Sequence, residues 1–287
     1  MRVKSLLRQW NLRPDNALGQ NFLVDPTILQ RIAEAAELTI DDVVLEIGAG
    51  TGALTRLLAS EAKHVVAVEL DRRLMPLLER ELSDLDNVTA IQGDILSLDP
   101  SSLIDAVLPN AGLSQANYRV VGNLPYYITS AILRHVLERD RRPELMVITV
   151  QYEVAERIVA EPGDMSVLAA SVQFYGEPEL LFKIDSASFY PSPAVDSGVV
   201  RLDVHTSPRL PDDQIDTFFR VVRAGFSQRR KQLHNALSTG LADQLSRDEA
   251  IERLHQADVD HRRRAETLSI DEWVKITDAL QDVLGPS

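Results

Sequence analysis

From Asp25 to about residue 160, two hydrophobic rhythms alternate along the chain. Short apolar runs are separated by stretches in which apolar residues recur every third or fourth position. Asp25-Pro26 predicts a helix start, an N-cap acid with proline at the first helical position, and Leu29, Ile32, Ala33 and Ala36 then share one face. Val43–Ile47 reads as a strand, and Gly48-Ala-Gly-Thr-Gly52 leads into a helix carrying Leu54, Leu57 and Leu58. Val65–Val68 is a second strand ending at Glu69, and 74–82 is helical. A third strand, Val88–Ile91, ends at Gln92-Gly93-Asp94, and 99–117 forms a helix-plus-loop connection. The run Val120-Val121-Gly122 delivers Asn123 at a strand end, with a helix following through Leu137. Residues 145–150 make a fifth strand, 153–160 a helix, and 171–184 and 198–204 two further β-rich stretches.

Such alternation implies an α/β fold: a parallel sheet with helices on both faces. The late pair of strands lacks an intervening helix, which predicts an antiparallel addition at one edge. Thr206-Ser-Pro-Arg-Leu-Pro211 reads as a linker, and everything after it is helical. Ile215, Phe218, Phe219 and Val222 keep helical spacing, and Ser269 with Glu272 forms a capping-box pattern. Two domains are expected, 1–206 and 207–287.

Composition narrows the chemistry. With no cysteine, disulfides, thiolate metal sites and thiol catalysis are excluded. Neither a signal peptide nor a membrane span is legible, and a cytoplasmic protein is expected. The net charge of −13 argues at first against a polyanionic partner. Its distribution changes that picture. Arg220, Arg223, Arg229, Arg230 and Lys231 occur in a stretch without acids, Arg262–Arg264 form a second cluster, and Arg2, Lys4, Arg8 and Arg13 a third. An acidic body with local basic faces is compatible with nucleic acid.

The strand ends carry the candidate site. The spacing in Gly48-Ala-Gly50-Thr-Gly52 is G-x-G-x-G, not the G-x-G-x-x-G of dinucleotide binders. It favours a nucleoside cofactor without a pyrophosphate, of the S-adenosylmethionine type. Glu69 can accept both ribose hydroxyls, and Asp94 can accept from an adenine amine. Each acid alone reads equally as an exposed strand end; three successive ends meeting over one sheet edge form a set. Asn123, a carbonyl near Leu124 and the ring of Tyr126 suit a flat heterocycle with an exocyclic amine. Accepting both N–H groups of that amine favours a pyramidal nitrogen whose lone pair can attack a methyl group, with positioning supplying much of the rate. No strong general base is required, and the six histidines lack metal-ligand spacing, so no metal is expected. In Ser188-Phe189-Tyr190-Pro191-Ser192-Pro193, Phe189 could stack on a flipped base opposite Tyr126, or anchor a proline-stiffened loop in the core.

Taken together, Leu18-Gly-Gln-Asn-Phe-Leu23, Val44-Leu-Glu-Ile-Gly-Ala-Gly-Thr-Gly52, Ala67-Val-Glu-Leu-Asp71, Gly93-Asp-Ile-Leu96, Asn123-Leu-Pro-Tyr-Tyr-Ile128, Gln151-Tyr-Glu-Val-Ala-Glu-Arg-Ile158 and Pro191-Ser-Pro-Ala-Val-Asp-Ser197 resemble the small-subunit ribosomal RNA adenine N6,N6-dimethyltransferases, whose loss gives kasugamycin resistance. The resemblance covers nearly the whole chain. It implies a Rossmann-like, S-adenosylmethionine-dependent methyltransferase fold with a mostly parallel seven-stranded sheet and a small C-terminal helical domain. It implies cofactor contacts from Asn21, Leu23, Gly48, Gly50, Glu69, Asp94 and Asn123. The implied substrate is 16S rRNA within an immature 30S subunit, dimethylated at two adjacent adenosines of its 3′-terminal hairpin loop. The C-terminal arginines would then contact phosphates. The chain departs from the family pattern at Asp15 and Asn16, where a basic residue is usual, and in a short loop, Pro162–Ser166. A large-subunit rRNA methyltransferase of the macrolide-resistance type, a non-catalytic assembly factor and a DNA adenine methyltransferase are the alternatives. The Pro-x-Pro-x-Val-Asp-Ser loop weighs against the first, the intact Gly48, Glu69, Asp94 and Asn123 against the second, and the amide at 123 against the third.

Overall fold

A computed structural model describes residues 2–107 and 117–284. Its strands are β1 (Phe22–Leu23), β2 (Val43–Ile47), β3 (His64–Glu69), β4 (Val88–Gln92), β5 (Tyr118–Asn123), β6 (Leu145–Gln151), β7 (Gly176–Ile184), β8 (Phe189–Tyr190) and β9 (Ser197–Val204). The helices up to β7 are α1 (Arg2–Gln9), α2 (Pro26–Ala35), α3 (Ala53–Glu61), α4 (Met75–Glu81), α5 (Pro100–Val107), α6 (Thr129–Leu137), α7 (Tyr152–Ile158) and α8 (Val167–Gln173). After β9 come α9 (Asp212–Phe226), α10 (Leu233–Gly240), α11 (Arg247–Gln256) and α12 (Ile270–Leu284).

Seven strands form one sheet in the order β4-β3-β2-β5-β6-β9-β7, and β1 pairs with β8 in a separate two-stranded ladder. β2, β3, β4, β5 and β6 run parallel, and β9 runs antiparallel to β6. This is the α/β, mostly parallel seven-stranded sheet that the sequence implies, with the late strands at one edge. β2 and β3 are buried almost throughout, as parallel strands covered on both faces must be. Strand order reverses between β2 and β5, the kind of crevice where open α/β sheets take ligands. The register sets the row of side chains at that crevice. Ile47 pairs with both Val68 and Gly122, so Gly48, Glu69 and Asn123 each begin just beyond the same level.

Local signals explain the boundaries. The Asp25 side chain accepts from the amides of Thr27 and Ile28, and Pro26 occupies the first turn of α2. The Ser269–Glu272 capping box forms as the sequence predicts, Ser269 N–H to the Glu272 carboxylate at 2.8 Å and Glu272 N–H to Ser269 Oγ at 3.2 Å. The basic N-terminal arm begins with a helix, α1, which buries Val3 and Leu7 against Leu74 and Leu77. One expectation is corrected. Residues 171–173, expected in a β-rich stretch, instead complete α8, which Ser166 caps through the Ala169 amide. Of the connection expected over 99–117, α5 forms the first part, and 108–116 lie outside the described residues.

Two compact units are distinguished: residues 1–156 with 178–204, and residues 157–177 with 205–287. The second extends beyond the expected 207–287 because α8 packs on α9. There Phe174 lies 4.3 Å from Phe218 and 5.4 Å from Phe219, centroid to centroid. Within it α9 and α12 approach closely at Gly225, where an added Cβ would collide with the Trp273 ring. Among the described residues no helix is long and apolar enough to cross a membrane.

Candidate active site

A cavity, partly open to solvent, lies at the carboxyl ends of β2, β3, β4 and β5 in the first unit. Its floor is made by Gly48, Gly50, Glu69, Asp94 and Asn123, and its side by the N-terminal segment Leu18–Phe22. The glycine turn is tied to β3: Val68 O accepts from the amides of Gly48 at 2.9 Å and Ala49 at 3.2 Å. Gly48 and Gly50 have φ of +81° and +57°, in the left-handed region that favours glycine. A Cβ at residue 48 would lie 3.2 Å from Asn123 O, and one at residue 50 would lie 3.2 Å from the Phe22 ring. The backbone can therefore come close to a ligand here, where any side chain would crowd the wall.

Glu69 is 6% exposed. Its Oε2 accepts from Gly50 N–H at 2.7 Å and its Oε1 from Asp71 N–H at 2.8 Å. Burial raises its pKa, a rise that those two amides oppose. Each carboxylate oxygen carries a second lone pair, so the pre-set acid can still accept two hydroxyls. Asp94, half-buried, caps the next turn through Leu96 N–H at 3.0 Å, while Gly93 N–H is tied to Glu69 O at 2.9 Å. Glu46, one residue before the last of β2, is buried beside this edge. Burial, with the nearby Glu69 charge, pushes its pKa up to about 8, and its Oε2 has no hydrogen-bond partner among the described residues.

Asn123 Nδ2 donates to Asn21 O at 2.9 Å, which leaves the amide oxygen to accept. Leu124 is buried, its amide donating to Thr149 O at 3.1 Å. Tyr126 lines the cavity, and its hydroxyl is 2.6 Å from Ser197 Oγ. Burial raises that hydroxyl's pKa.

Not every expected residue comes to the cavity. Phe189 is 2% exposed and sits in the core with Leu23, its partner in the β1–β8 ladder, and with Ile32 and Val199. Neither Phe189 nor Leu23 is on the cavity wall, so the clamp of Phe189 and Tyr126 around a base is not formed; Phe189 is instead a core anchor. Conversely, Gln20, Phe22 and Ile132 line the cavity, which their sequence context does not mark them to do. Gln20 and Phe22 belong to the Leu18–Leu23 motif, but nothing in their spacing says that they fold over strand ends a hundred residues away.

The basic residues of 220–231 and 262–264 belong to the second unit. Arg223, Arg229, Arg230 and Lys231 are exposed, whereas Arg220 is half-buried and bonded to Gln244. At the start of α10, Leu233 N–H donates to Arg263 O at 2.7 Å and His234 N–H to His261 O at 3.3 Å. These bonds hold residues 233–234, just after the 229–231 stretch, against 261–263, which brings the chain next to each cluster together. Arg263 itself is engaged by Glu272 and Thr267, leaving Arg262 and Arg264 as the exposed members. No group of three metal-ligating side chains occurs among the described residues.

Comparison with known proteins is consistent along the whole chain. The family profile described as ribosomal RNA adenine dimethylase matches residues 12–282. The chain is 44% identical over 283 residues to ribosomal RNA small subunit methyltransferase A of Moorella thermoacetica, covering 98% of this chain and 97% of that protein. It is 42% identical over 287 residues to the protein of the same name from Pelotomaculum thermopropionicum, covering 99% and 97%. Among solved structures, a dimethyladenosine transferase from Plasmodium falciparum superposes with a TM-score of 0.75 at 25% identity, covering 91% of this chain and 98% of that one. The 23S rRNA methyltransferase ErmE gives a TM-score of 0.71 at 30% identity, covering 91% and 99%.

Proposed function

Because the chain belongs to the ribosomal RNA adenine dimethylase family, we propose that it transfers methyl groups to the exocyclic N6 of adenosines in small-subunit rRNA. The observation that carries this reading is the row Gly48, Glu69, Asn123 at one level of the sheet, with the Asn123 amide turned so that its oxygen accepts. The cofactor is S-adenosylmethionine, which supplies an electrophilic methyl on a sulfonium centre. The residues present fit it: a glycine turn without side-chain bulk, a buried acid with unused lone pairs, and a second acid at the next strand end.

Glu69 would hold the ribose hydroxyls, Asp94 the adenine amine of the cofactor, and the main chain around Gly48 and Asn21 the remainder. At the target base, Asn123 Oδ1 would accept a hydrogen bond from one N6–H, and a neighbouring main-chain carbonyl would accept one from the other N–H of the unmethylated amine. This withdraws the nitrogen lone pair from ring delocalisation and aims it, so geometry supplies much of the rate. Tyr126, its hydroxyl tethered to Ser197, offers a ring to stack on the flipped base. The methylated N6, cationic once its new N–C bond has formed, then loses a proton to water, and no dedicated base is needed. The C-terminal cations Arg223, Arg229, Arg230 and Lys231, with Arg220, would meet phosphates.

The substrate is taken to be the immature 30S particle, with two adjacent adenosines of the 3′-terminal hairpin each methylated twice. The likeness to ErmE favours a second reading, in which the target adenine belongs to large-subunit rRNA. Methyl transfer to unmethylated 30S particles, compared with protein-free 23S rRNA, separates the two: label in the 30S adenosines supports the first, and label only in 23S rRNA the second.

A further inference from the structure

Asp71 does not line the cavity, yet it joins two of the groups that do. Its main-chain N–H donates to Glu69 Oε1 at 2.8 Å, which helps fix the acid at the end of β3. Its carboxylate Oδ2 accepts from Gln20 Nε2 at 2.8 Å. Gln20 belongs to the segment that forms the cavity's side, and its Oε1 in turn accepts from Asp15 N–H at 2.8 Å, closing a loop within that segment. Arg73 braces the junction: its Nη2 lies 2.8 Å from Asp71 Oδ2 and 3.4 Å from Asp15 Oδ2. Burial on its own would raise the Asp71 pKa, but the bonds from Arg73 and Gln20 outweigh it and hold the carboxyl below its ordinary value. Asp71 is therefore a charged acceptor with Gln20 and Arg73 both on it, and it is 6% exposed. On its far side the same segment is held by Asn123 Nδ2 on Asn21 O.

We propose that Asp71 is a positioning residue for cofactor binding: through Gln20 it latches the 15–22 segment across the cavity while its own amide sets Glu69. The inference rests on the assignment of this cavity to S-adenosylmethionine. Its physical content is that wall and floor are not independent. A ligand resting on Glu69 and covered by Leu18–Phe22 uses both ends of one hydrogen-bonded chain, so loosening either end lowers its residence. It also gives Asp15 an occupation: it caps the 16–18 turn through Ala17 N–H and shares Arg73 with Asp71.

The test is a double-mutant cycle on the purified full-length protein, with S-adenosylmethionine affinity read by calorimetry. Gln20→Ala removes the latch but leaves the Asp71–Arg73 pair, so it preserves the fold even where Asp71→Ala does not. Each single change should weaken the affinity about tenfold, and the double change little more than either alone, because both remove one shared bond. In donor-free protein, amide hydrogen exchange over residues 15–22 should quicken in Gln20→Ala, with the sheet amides unaltered. If wild-type protein binds S-adenosylmethionine and Gln20→Ala binds it equally well, or if the two effects simply add, the latch is overturned and the cofactor assignment stands. Wild-type protein that binds no S-adenosylmethionine would overturn both.

Discussion

Asn123 Nδ2 donates to the main-chain oxygen of Asn21 at 2.9 Å, across 102 positions of sequence. One bond thus fixes which end of the amide accepts and pins the N-terminal segment to the end of β5. Asn123→Ala should lower kcat by roughly a hundredfold or more, the scale seen when a pre-set polar group is removed from a reacting centre. Cofactor affinity should fall less than turnover, by about the tenfold expected for loss of one tether of the 15–22 segment. Asn123→Asp should not restore turnover, because a carboxylate cannot donate to Asn21 O. Single-turnover methyl transfer with calorimetric donor binding checks both statements.

If Glu69 holds the donor's ribose as proposed, it does so in its ionised form. Its pKa is raised by burial, so protonation begins at a higher pH than for an exposed glutamate. S-adenosylmethionine affinity should be flat above that pKa and fall as pH drops through it, by about tenfold per pH unit once the acid is mostly protonated. Glu69→Gln should be weaker at neutral pH and lack this dependence. Affinity titrations of both proteins from pH 8 to pH 5 give the result.

Glu46 behaves differently, since its folded pKa is about 8 against an ordinary value of 4.5. The folded state holds the proton more tightly, so the stabilisation is fully present below the unfolded pKa and is lost as pH rises through the folded one. Between those two values, stability falls by about 1.4 kcal/mol for each pH unit climbed. Glu46→Gln, which resembles the protonated acid, should lose less stability than wild type between pH 5 and pH 8. Urea unfolding at the two pH values measures the difference; equal losses would mean that Glu46 is ionised throughout.

Arg229, Arg230 and Lys231 are exposed beside a second basic stretch. If they meet phosphates, replacing all three with Ala should weaken RNA binding and lower the slope of log affinity against log salt by about two. Unchanged slope would make them ordinary solvated surface. Donor binding should not move in either case.

Much of the fold was legible because parallel strands buried on both faces write themselves as apolar runs, as in Val43–Ile47 and Val65–Val68. Residues just past such runs, Gly48, Glu69 and Asn123, had to meet at one edge, and the register aligns them. What failed to show was non-local or locally ambiguous. Phe189 reads equally as a stacking ring or an anchor until its pairing with Leu23, 166 positions away, buries it. Residues 171–173 lie beside a real strand, and the helix signals, Ser166 as cap and Ala169-Ala170, stand earlier. The Gln20–Asp71 link could not be read at all, because neither residue type announces a partner fifty-one positions distant.

The most direct measurement is nucleotide mapping by mass spectrometry after incubating the purified protein with S-adenosylmethionine and unmethylated 30S particles. The account predicts N6,N6-dimethyladenosine at two adjacent positions of the 3′-terminal hairpin of 16S rRNA, absent with Asn123→Ala. Wild-type protein that leaves those adenosines unmodified, or methylates only 23S rRNA, would contradict it.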